Sequence, residues 1–377
     1  MDIIERAAAN RGWIDETWRK ITKKMPISVE QARKLDTIPY TARDGAWSNP
    51  HGISWWTNGF YPALMWQMAI GTGDALYREE AARAEALLDE ALRRFEELHH
   101  DLGFQYKISA AVNWALTKNP ASLRRALLAA NLLAGRYNPN GFIVAWNENR
   151  PGWSIIDSMM NLPLLYWASR QTGDPRYRLI AERHADHTLR NFFRDDGSVH
   201  HIVIFDPETD AVIETPRGQG FAPGSTWTRG QAWAIYGFAL SHIWTGRPEY
   251  LAAARRAADR FLERLSGDNL PDIDFDQPNE PCAKDNCAGA IAACGLIELA
   301  KLAPDSADRY FDAAISLLKA MDERAIDWSP GEPGLLSQCA GSYSERDSWN
   351  MKMIYGDYFF IEAILKLRGS RTQLWLI

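Results

Sequence analysis

The sequence of 377 residues predicts an all-α protein, an (α/α)6 toroid in which six inner and six outer helices form two concentric rings. Three features of the sequence predict this fold class. A short opening motif recurs before helical runs, more apolar helices alternate with less apolar ones, and tight connections alternate with long ones. All three are expected of a chain built from repeated helical hairpins.

The recurring motif places turn and capping residues immediately before a helix. Segments 72–77, 172–177 and 245–250 each begin with Thr-Gly and end in Tyr, and 305–310 is a looser copy. Asn119, followed by proline, opens a comparable run. Asp, Asn and Pro favour the first positions of helices, so each motif marks a helix start.

Apolar helices precede these motifs and more polar helices follow them. A helix that is apolar all round is buried and one with a polar stripe faces solvent, so the two kinds form an inner and an outer layer. The twelve helices are predicted at 57–70, 105–118, 158–171, 230–244 and 286–302 (inner), at 75–98, 120–135, 175–193, 248–265 and 306–323 (outer), and at 2–23 and 350–368. An open solenoid of helical hairpins is the alternative.

The connections between helices predict where a functional site lies. The connections that contain the three Thr-Gly motifs are only a few residues long, whereas the other connections are long. Helices that run alternately up and down the barrel place all the long connections at the same end. Long structured loops are usually functional, so we expect a cleft at that end. One of these loops contains a predicted β-hairpin near 200–213. We expect a single domain over 1–377.

Composition excludes several classes of protein. Hydrophobic residues make up 46% and charged residues 24% of the chain, which is typical of a packed globular protein. The net charge of −6 predicts no nucleic-acid surface, and no apolar run is long enough to span a membrane. The start, Met-Asp-Ile-Ile-Glu-Arg, lacks the basic and apolar regions of a secretory signal, so we expect none.

Sequence motifs for metals and nucleotide cofactors are also absent. There is no P-loop, no GxGxxG after a strand, no HExxH and no GxSxG. Cys282, Cys287, Cys294 and Cys339 form no CxxC pair and no histidine lies at zinc-finger spacing, so we expect free thiols rather than a metal site. These absences argue against nucleotide cofactors, zinc hydrolysis and serine acyl transfer, and they leave carboxylate chemistry on a sugar-like ligand.

Tryptophan is unusually frequent, with 16 residues. A large core is one explanation. A sugar-binding cleft is another, because the flat indole face packs against the C–H face of a pyranose while the ring N–H donates a hydrogen bond. The aromatic and polar clusters fall in the long loops or in the first turn after them, which favours the cleft.

Two aspartates stand at equivalent places, each at the start of an inner helix. Asp101 follows His99 and His100, and Asp157 precedes Ser158. Both could be plain N-caps, or they could be an acid/base pair aimed at one cavity. Apolar neighbours of Asp157 favour the second interpretation, because burial raises the pKa of a carboxyl, although a helix N-terminus lowers it.

A third cluster of candidate residues lies at the end of the longest loop. Arg229 lies at the mouth of a buried helix, where an arginine must be paired or exposed, and it could hold a carboxylate through two parallel hydrogen bonds. Trp227 and Trp233 flank it and could equally belong to the core. His201 adds a polar group at the same end, though a lone histidine is more often structural.

Four segments resemble a known family. They are His-His-Asp-Leu-Gly-Phe at 99–104, Ile-Ile-Asp-Ser-Met-Met-Asn-Leu-Pro at 155–163, Gly-Ser-Thr-Trp-Thr-Arg-Gly-Gln-Ala-Trp at 224–233 and Tyr-Gly-Asp-Tyr at 355–358. They are similar to the unsaturated glucuronyl hydrolases of glycoside hydrolase family 88, over about 55–367. The resemblance implies an (α/α)6 barrel and a bacterial cytoplasmic enzyme without metal or cofactor. Its substrate would be a lyase-made oligosaccharide with a 4,5-unsaturated uronic acid at the non-reducing end.

The resemblance also implies roles for individual residues. Asp157 matches the general acid/base that hydrates the C4=C5 vinyl ether, and Asp101 matches a second carboxylate that orients the sugar. The residues that match substrate contacts are His100, His201, Gln219, Arg229, Trp56, Trp146, Trp227 and Trp233.

The match leaves several properties open. The loop at 147–153 is shorter than in the member it resembles and places Arg150 and Trp153 where that member has no counterpart, so the aglycone is not specified. Ser344, Ser348 and Lys352 lie near a sulfate-recognising patch of some members, but their spacing differs and a solvated loop explains them equally well. An unsaturated rhamnogalacturonyl hydrolase and a non-catalytic carbohydrate-binding scaffold are the alternatives. The oligomeric state, monomer or weak dimer, is not predicted.

Overall fold

A computed structural model describes residues 3–147, 149–281 and 283–377. Helices dominate these residues, and short strands connect some of them. The helices in chain order are α1 (Ile3–Arg6), α2 (Arg11–Ala32), α3 (Phe60–Thr72), α4 (Ala75–Arg93), α5 (Leu102–Tyr106), α6 (Ala110–Thr117), α7 (Pro120–Ala134), α8 (Ser158–Thr172), α9 (Pro175–Asn191), α10 (Thr228–Thr245), α11 (Pro248–Arg264), α12 (Asn286–Leu302), α13 (Ala307–Arg324) and α14 (Ile354–Leu367).

Six helical segments close into an inner ring. From α5, contacts run in order through α8, α10, α12 and α14 to α3, and the turn Trp56–Gly59 joins α3 back to α5. Every residue of α14 is buried, whereas α11 buries only one stripe of its surface. Closure of the ring confirms the predicted toroid, and the open-solenoid alternative is wrong.

The tight connections use the recurring motif as expected. Gly73, Gly173 and Gly246 end inner helices with φ of 75°, 74° and 72°, a left-handed conformation that glycine adopts without steric cost. Asp74 and Asp174 then cap the following outer helices by accepting hydrogen bonds from backbone N–H groups. The sequence therefore fixes the inner-to-outer turns locally.

Two three-stranded antiparallel sheets lie among the long loops. Strands β1 (Thr41–Arg43), β2 (Ala46–Ser48) and β6 (Lys352–Met353) form one, in the order β2-β1-β6. Strands β3 (Trp153–Ile155), β4 (Ile202–Phe205) and β5 (Val212–Glu214) form the other, in the order β3-β4-β5. The pairing of β4 with β5 confirms the predicted hairpin. The sequence did not indicate β3, which pairs Ile155 with Ile202.

Two predicted helices differ from the structure. The first long helix continues through Pro26 to Ala32 because Met25, Ser28 and Val29 pack into the core. The helix predicted at 105–118 is instead split into α5 and α6. Buried Lys107 lies between them and donates hydrogen bonds to the carbonyls of Leu374 and Ile377.

The larger of two hydrophobic clusters among the described residues includes side chains from Ile3 to Trp375, and the smaller consists of Ala145, Ile155 and Ile202. One domain over 1–377 stays a prediction. Cys287, Cys294 and Cys339 are free and buried, and Cys282 lies outside the described residues. Among the described helices, none alone has the length and apolarity to cross a membrane, although the bent pair Asn286–Leu302 and Pro304–Arg324 meets both requirements together.

Candidate active site

A cavity of about 270 Å³ opens at the long-loop end of the barrel. All its lining residues come from long connections or from the first turn of the helix that follows one. They are Trp55, Trp56, His99, His100, Asp101, Trp146, Arg150, Trp153, Ile155, Asp157, His201, Ile202, Gly218, Gln219 and Arg229. The cavity therefore combines two carboxylates with aromatic walls.

Asp101 is buried at the start of α5 and does not cap that helix. Its carboxylate faces His99 Nδ1 and His100 Nε2, each at 3.2 Å, and accepts a hydrogen bond of 3.3 Å from Asn161 Nδ2. Burial acts to raise the pKa of Asp101, but the two imidazoles and the amide outweigh burial and lower it. Asp101 therefore contributes negative charge to the cavity.

His100 lies beside Asp101 as a neutral ring. Burial lowers the pKa of His100 to about 4, so the ring is neutral at neutral pH. Its Nδ1 lies 2.5 Å from the carbonyl of Ala145, which can only accept, so the ring proton is on Nδ1. Nε2 then points its lone pair at Asp101.

Asp157 precedes α8 and likewise makes no side-chain cap. Its side chain is 15% exposed, and Oδ1 lies 3.5 Å from His201 Nε2. The pairing of β3 with β4 brings the two residues together, because the N–H of Ile156 donates to the carbonyl of His201 at 3.0 Å. A carboxyl group in this position can exchange a proton with a ligand in the cavity.

Asn161 connects the two aspartates. One turn into α8, its Nδ2 donates both to Asp101 Oδ1 at 3.3 Å and to the carbonyl of Asp157 at 3.2 Å. Its Oδ1 accepts from the N–H of Phe104 at 2.8 Å, which fixes the orientation of the amide. One side chain thus sets the position of both helix starts.

The tautomer of His201 follows from its hydrogen bonds. The backbone N–H of Gln219 donates to Nδ1 at 3.1 Å, so in the neutral ring Nε2 carries the proton and points it toward Asp157. Trp227 packs against the same ring, with centroids 4.2 Å apart. Gly218 leaves room for the ring, because a Cβ there would lie 1.9 Å from Nδ1.

Arg229 is buried and already neutralised. It forms an ion pair with Asp285 and donates to the carbonyls of Ala340 at 2.6 Å and Gly341 at 2.7 Å. Although burial opposes it, the negative charge of Asp285 raises the pKa of Arg229. The remaining Nη2 contact, to Gln219 Oε1 at 3.4 Å, extends toward the cavity. The sequence predicted a carboxylate held through two parallel hydrogen bonds, whereas in the structure one nitrogen, Nη1, contacts Asp285 Oδ2.

The predicted aromatic contacts divide into two groups. Trp56 and Trp146 line the cavity, with Trp55 and Trp153 beside them. Trp227 and Trp233 do not line it. Trp227 is buried between His201 and Arg229, where it supports both side chains. Trp233 lies in the core against Phe104 and Phe359. The structure therefore places Trp233 in core packing and not in the predicted contact with a ligand.

Sequence reasoning missed several residues that support the site. Asp285 stands at the start of an inner helix, as Asp101 and Asp157 do, and this shared position was a usable signal. Asn161 and His99 lie inside the motifs but carried no distinguishing pattern. Ser344, Ser348 and Lys352 are absent from the cavity lining, and Lys352 pairs with Asp327 and Glu332 instead.

Two groups of donor atoms among the described residues are close enough to share a metal ion. One is His99, His100 and Asp101, and the other is Asp285, Cys287 and Cys339. In the first, the three side chains already contact one another, and in the second Arg229 neutralises the carboxylate. Burial also raises the pKa of Cys287 well above its ordinary value.

Comparison with known proteins identifies the family. A family model described as Glycosyl Hydrolase Family 88 matches residues 16–264. An unsaturated glucuronyl hydrolase of Bacillus sp. (strain GL1) is 41% identical over 333 residues, which cover 85% of this chain and 88% of that protein. An unsaturated chondroitin disaccharide hydrolase of Streptococcus pyogenes serotype M1 is 36% identical over 375 residues, which cover 94% of this chain and 93% of that protein.

A solved structure supports the same assignment. The unsaturated glucuronyl hydrolase from Bacillus sp. GL1, responsible for the degradation of glycosaminoglycan, superimposes with a TM-score of 0.89 at 36% identity. The alignment covers 94% of this chain and 98% of that one. The chain is therefore an (α/α)6-barrel glycosidase that belongs to glycosyl hydrolase family 88.

Proposed function

We propose that this enzyme removes a 4,5-unsaturated uronic acid from the non-reducing end of lyase-generated oligosaccharides, of glycosaminoglycan or a related uronic-acid polysaccharide. The observation that carries the proposal is the pair Asp101 and Asp157, which line one tryptophan-walled cavity without capping their helices. The names and substrates of the relatives support the same chemistry.

The proposed reaction is hydration of a vinyl ether, with Asp157 as general acid and base. Its carboxyl group delivers a proton to C4 of the C4=C5 bond, and the resulting carboxylate removes a proton from the water that adds at C5. The hemiketal so formed opens and releases the aglycone. No glycosyl-enzyme intermediate is required, so the carboxylate spacing rule for retaining and inverting glycosidases does not apply.

The other cavity groups orient the substrate in this proposal. Asp101, held by His99, His100 and Asn161, accepts hydrogen bonds from sugar hydroxyls. His201 and Gln219 contact the unsaturated sugar beside Asp157. Trp56 and Trp146 offer apolar faces to the sugar rings.

The purified chain tests the proposal directly. It should abolish the ultraviolet absorbance of the double bond in an unsaturated disaccharide, without added metal or nucleotide and in the presence of a chelator. A pectin-derived unsaturated disaccharide assayed beside a glycosaminoglycan-derived one separates the rhamnogalacturonyl alternative. Binding without loss of absorbance over long incubation would instead indicate a carbohydrate-binding scaffold.

We also propose a cytoplasmic location. Cys287, Cys294 and Cys339 are free thiols, which is usual for a reducing compartment. Activity in the cytosolic fraction of the producing cell tests this, and activity confined to the medium would contradict it.

A further inference from the structure

We propose that Arg150 binds a sulfate ester on the aglycone, the sugar that follows the unsaturated uronic acid, and so selects sulfated substrates. This inference rests on the proposed function and adds a specificity-determining residue to it. It comes from the geometry of the cavity wall formed by Trp146, Arg150 and Trp153.

Arg150 lies over two indole rings at the cavity wall. Its guanidinium carbon is 4.8 Å from the ring centroid of Trp153 and 5.8 Å from that of Trp146. The two rings themselves meet edge to face at 5.8 Å. The turn is ordered by the N–H of Trp153, which donates to the carbonyl of Arg150 at 3.1 Å. A guanidinium held over an aromatic ring by a cation–π contact keeps N–H groups that can donate to a ligand.

The charge of Arg150 has no acidic partner among the described residues, and its side chain is exposed. The other cavity arginine, Arg229, is buried against Asp285. Arg136, behind the wall, donates to the carbonyls of Val144 and Trp146. Arg150 is therefore the cation on this wall that is open to an anionic ligand.

Arg150 contacts a different set of cavity residues from Asp157. His201 contacts Asp157, where the proposed reaction takes place, and Gln219 contacts both His201 and Arg229. Arg150 instead contacts Trp146 and Trp153, the part of the wall that we assign to the second sugar. A sulfate ester accepts two parallel hydrogen bonds from a guanidinium, as a carboxylate or phosphate does. Such a contact also offsets repulsion between the sulfate and Asp101.

The test compares kcat/KM for unsaturated chondroitin disaccharides that carry no sulfate, a 4-sulfate or a 6-sulfate. Arg150→Gln should lower kcat/KM by about tenfold for at least one sulfated disaccharide, which is the usual effect of losing a charged hydrogen bond. The same substitution should change kcat/KM for the unsulfated disaccharide by less than about twofold. The matched control is Arg170→Gln. Arg170 stacks on Trp244 at 4.4 Å outside the cavity, and its replacement should leave the ratio unchanged.

Two results would overturn the inference. An equal loss on all three disaccharides would show that Arg150 contacts the uronate or supports the fold, and an unchanged ratio would show that it contacts no sulfate. Failure of the unaltered enzyme on all three, and also on the unsaturated disaccharides of heparin, hyaluronan and pectin, would instead refute the proposed function. The three outcomes are therefore distinguishable.

Discussion

His201 Nε2 lies 3.5 Å from Asp157 Oδ1, although the two residues belong to different long loops. The pairing of β3 with β4 aligns the loops, and the N–H of Gln219 on Nδ1 puts the ring proton on Nε2. The Nε2–H of His201 therefore faces the carboxylate that we propose as acid and base, although no hydrogen bond joins the two side chains in this structure.

Gly218→Ala should displace His201 and reduce kcat by about tenfold or more. Gly218 has φ of 61°, and an added Cβ would lie 1.9 Å from His201 Nδ1, so the ring must move away from Asp157. Steady-state kinetics on an unsaturated disaccharide measures the effect.

Gly224→Ala is the matched control for that substitution. Gly224 lies in the same loop with φ of 82°, but a Cβ there meets no atom within 4 Å. It carries the same backbone strain without the clash. Equal kcat losses in the two variants would show that strain, and not the position of His201, is responsible.

Asp285→Asn should destabilise the protein by about 3–5 kcal/mol, because it leaves the charge of Arg229 buried and uncompensated. The free energy of unfolding in urea measures the loss. Asp305→Asn is the control, because Asp305 pairs with Arg255 at the surface, where ion pairs contribute little to stability. Similar losses in both variants would contradict the structural role of Asp285.

Buried histidines should make stability fall below about pH 6.5. Burial lowers the pKa of His100 to about 4, of His184 to about 3 and of His200 to about 4. An unfolded chain protonates histidine near pH 6.5. Between about pH 6.5 and 4 the unfolded state therefore binds protons that the folded state does not, and stability is lost as the pH falls through that window.

His184→Gln isolates this effect. The unfolded variant binds one proton fewer than the unfolded form of the unaltered protein. The free energy of unfolding of the variant should therefore change with pH less steeply, by up to about 1.4 kcal/mol per pH unit. Asp357, whose pKa burial raises to about 7, acts in the opposite direction but is common to both proteins and cancels in the comparison. Parallel pH profiles would contradict the prediction.

Local signals in the sequence were sufficient for the barrel and for part of the site. The Thr-Gly motifs encode their own turns, with Gly73 and Asp74 ending one helix and capping the next. The position of Asp101 and Asp157 at the start of inner helices placed both carboxylates at the long-loop end. These features depend on residues that are close together in the chain, so a pattern in the sequence can predict them.

Contacts between loops could not be predicted in the same way. Strand β3 has three residues and exists because β4 pairs with it. The partner of Arg229 comes from a different loop, so the sequence offered Asp285 as one acid among many. The core position of Trp233 depends on which face of α10 turns inward, and α10 is apolar on nearly every face.

The central claim, that Asp157 is the catalytic acid and base, is tested most directly by Asp157→Asn. We predict that kcat on an unsaturated disaccharide falls by about a thousandfold, while the melting temperature stays near that of the unaltered enzyme. Asp174→Asn is the matched control, because Asp174 caps α9 outside the cavity and asparagine caps equally well. Near-normal turnover by Asp157→Asn would contradict the account.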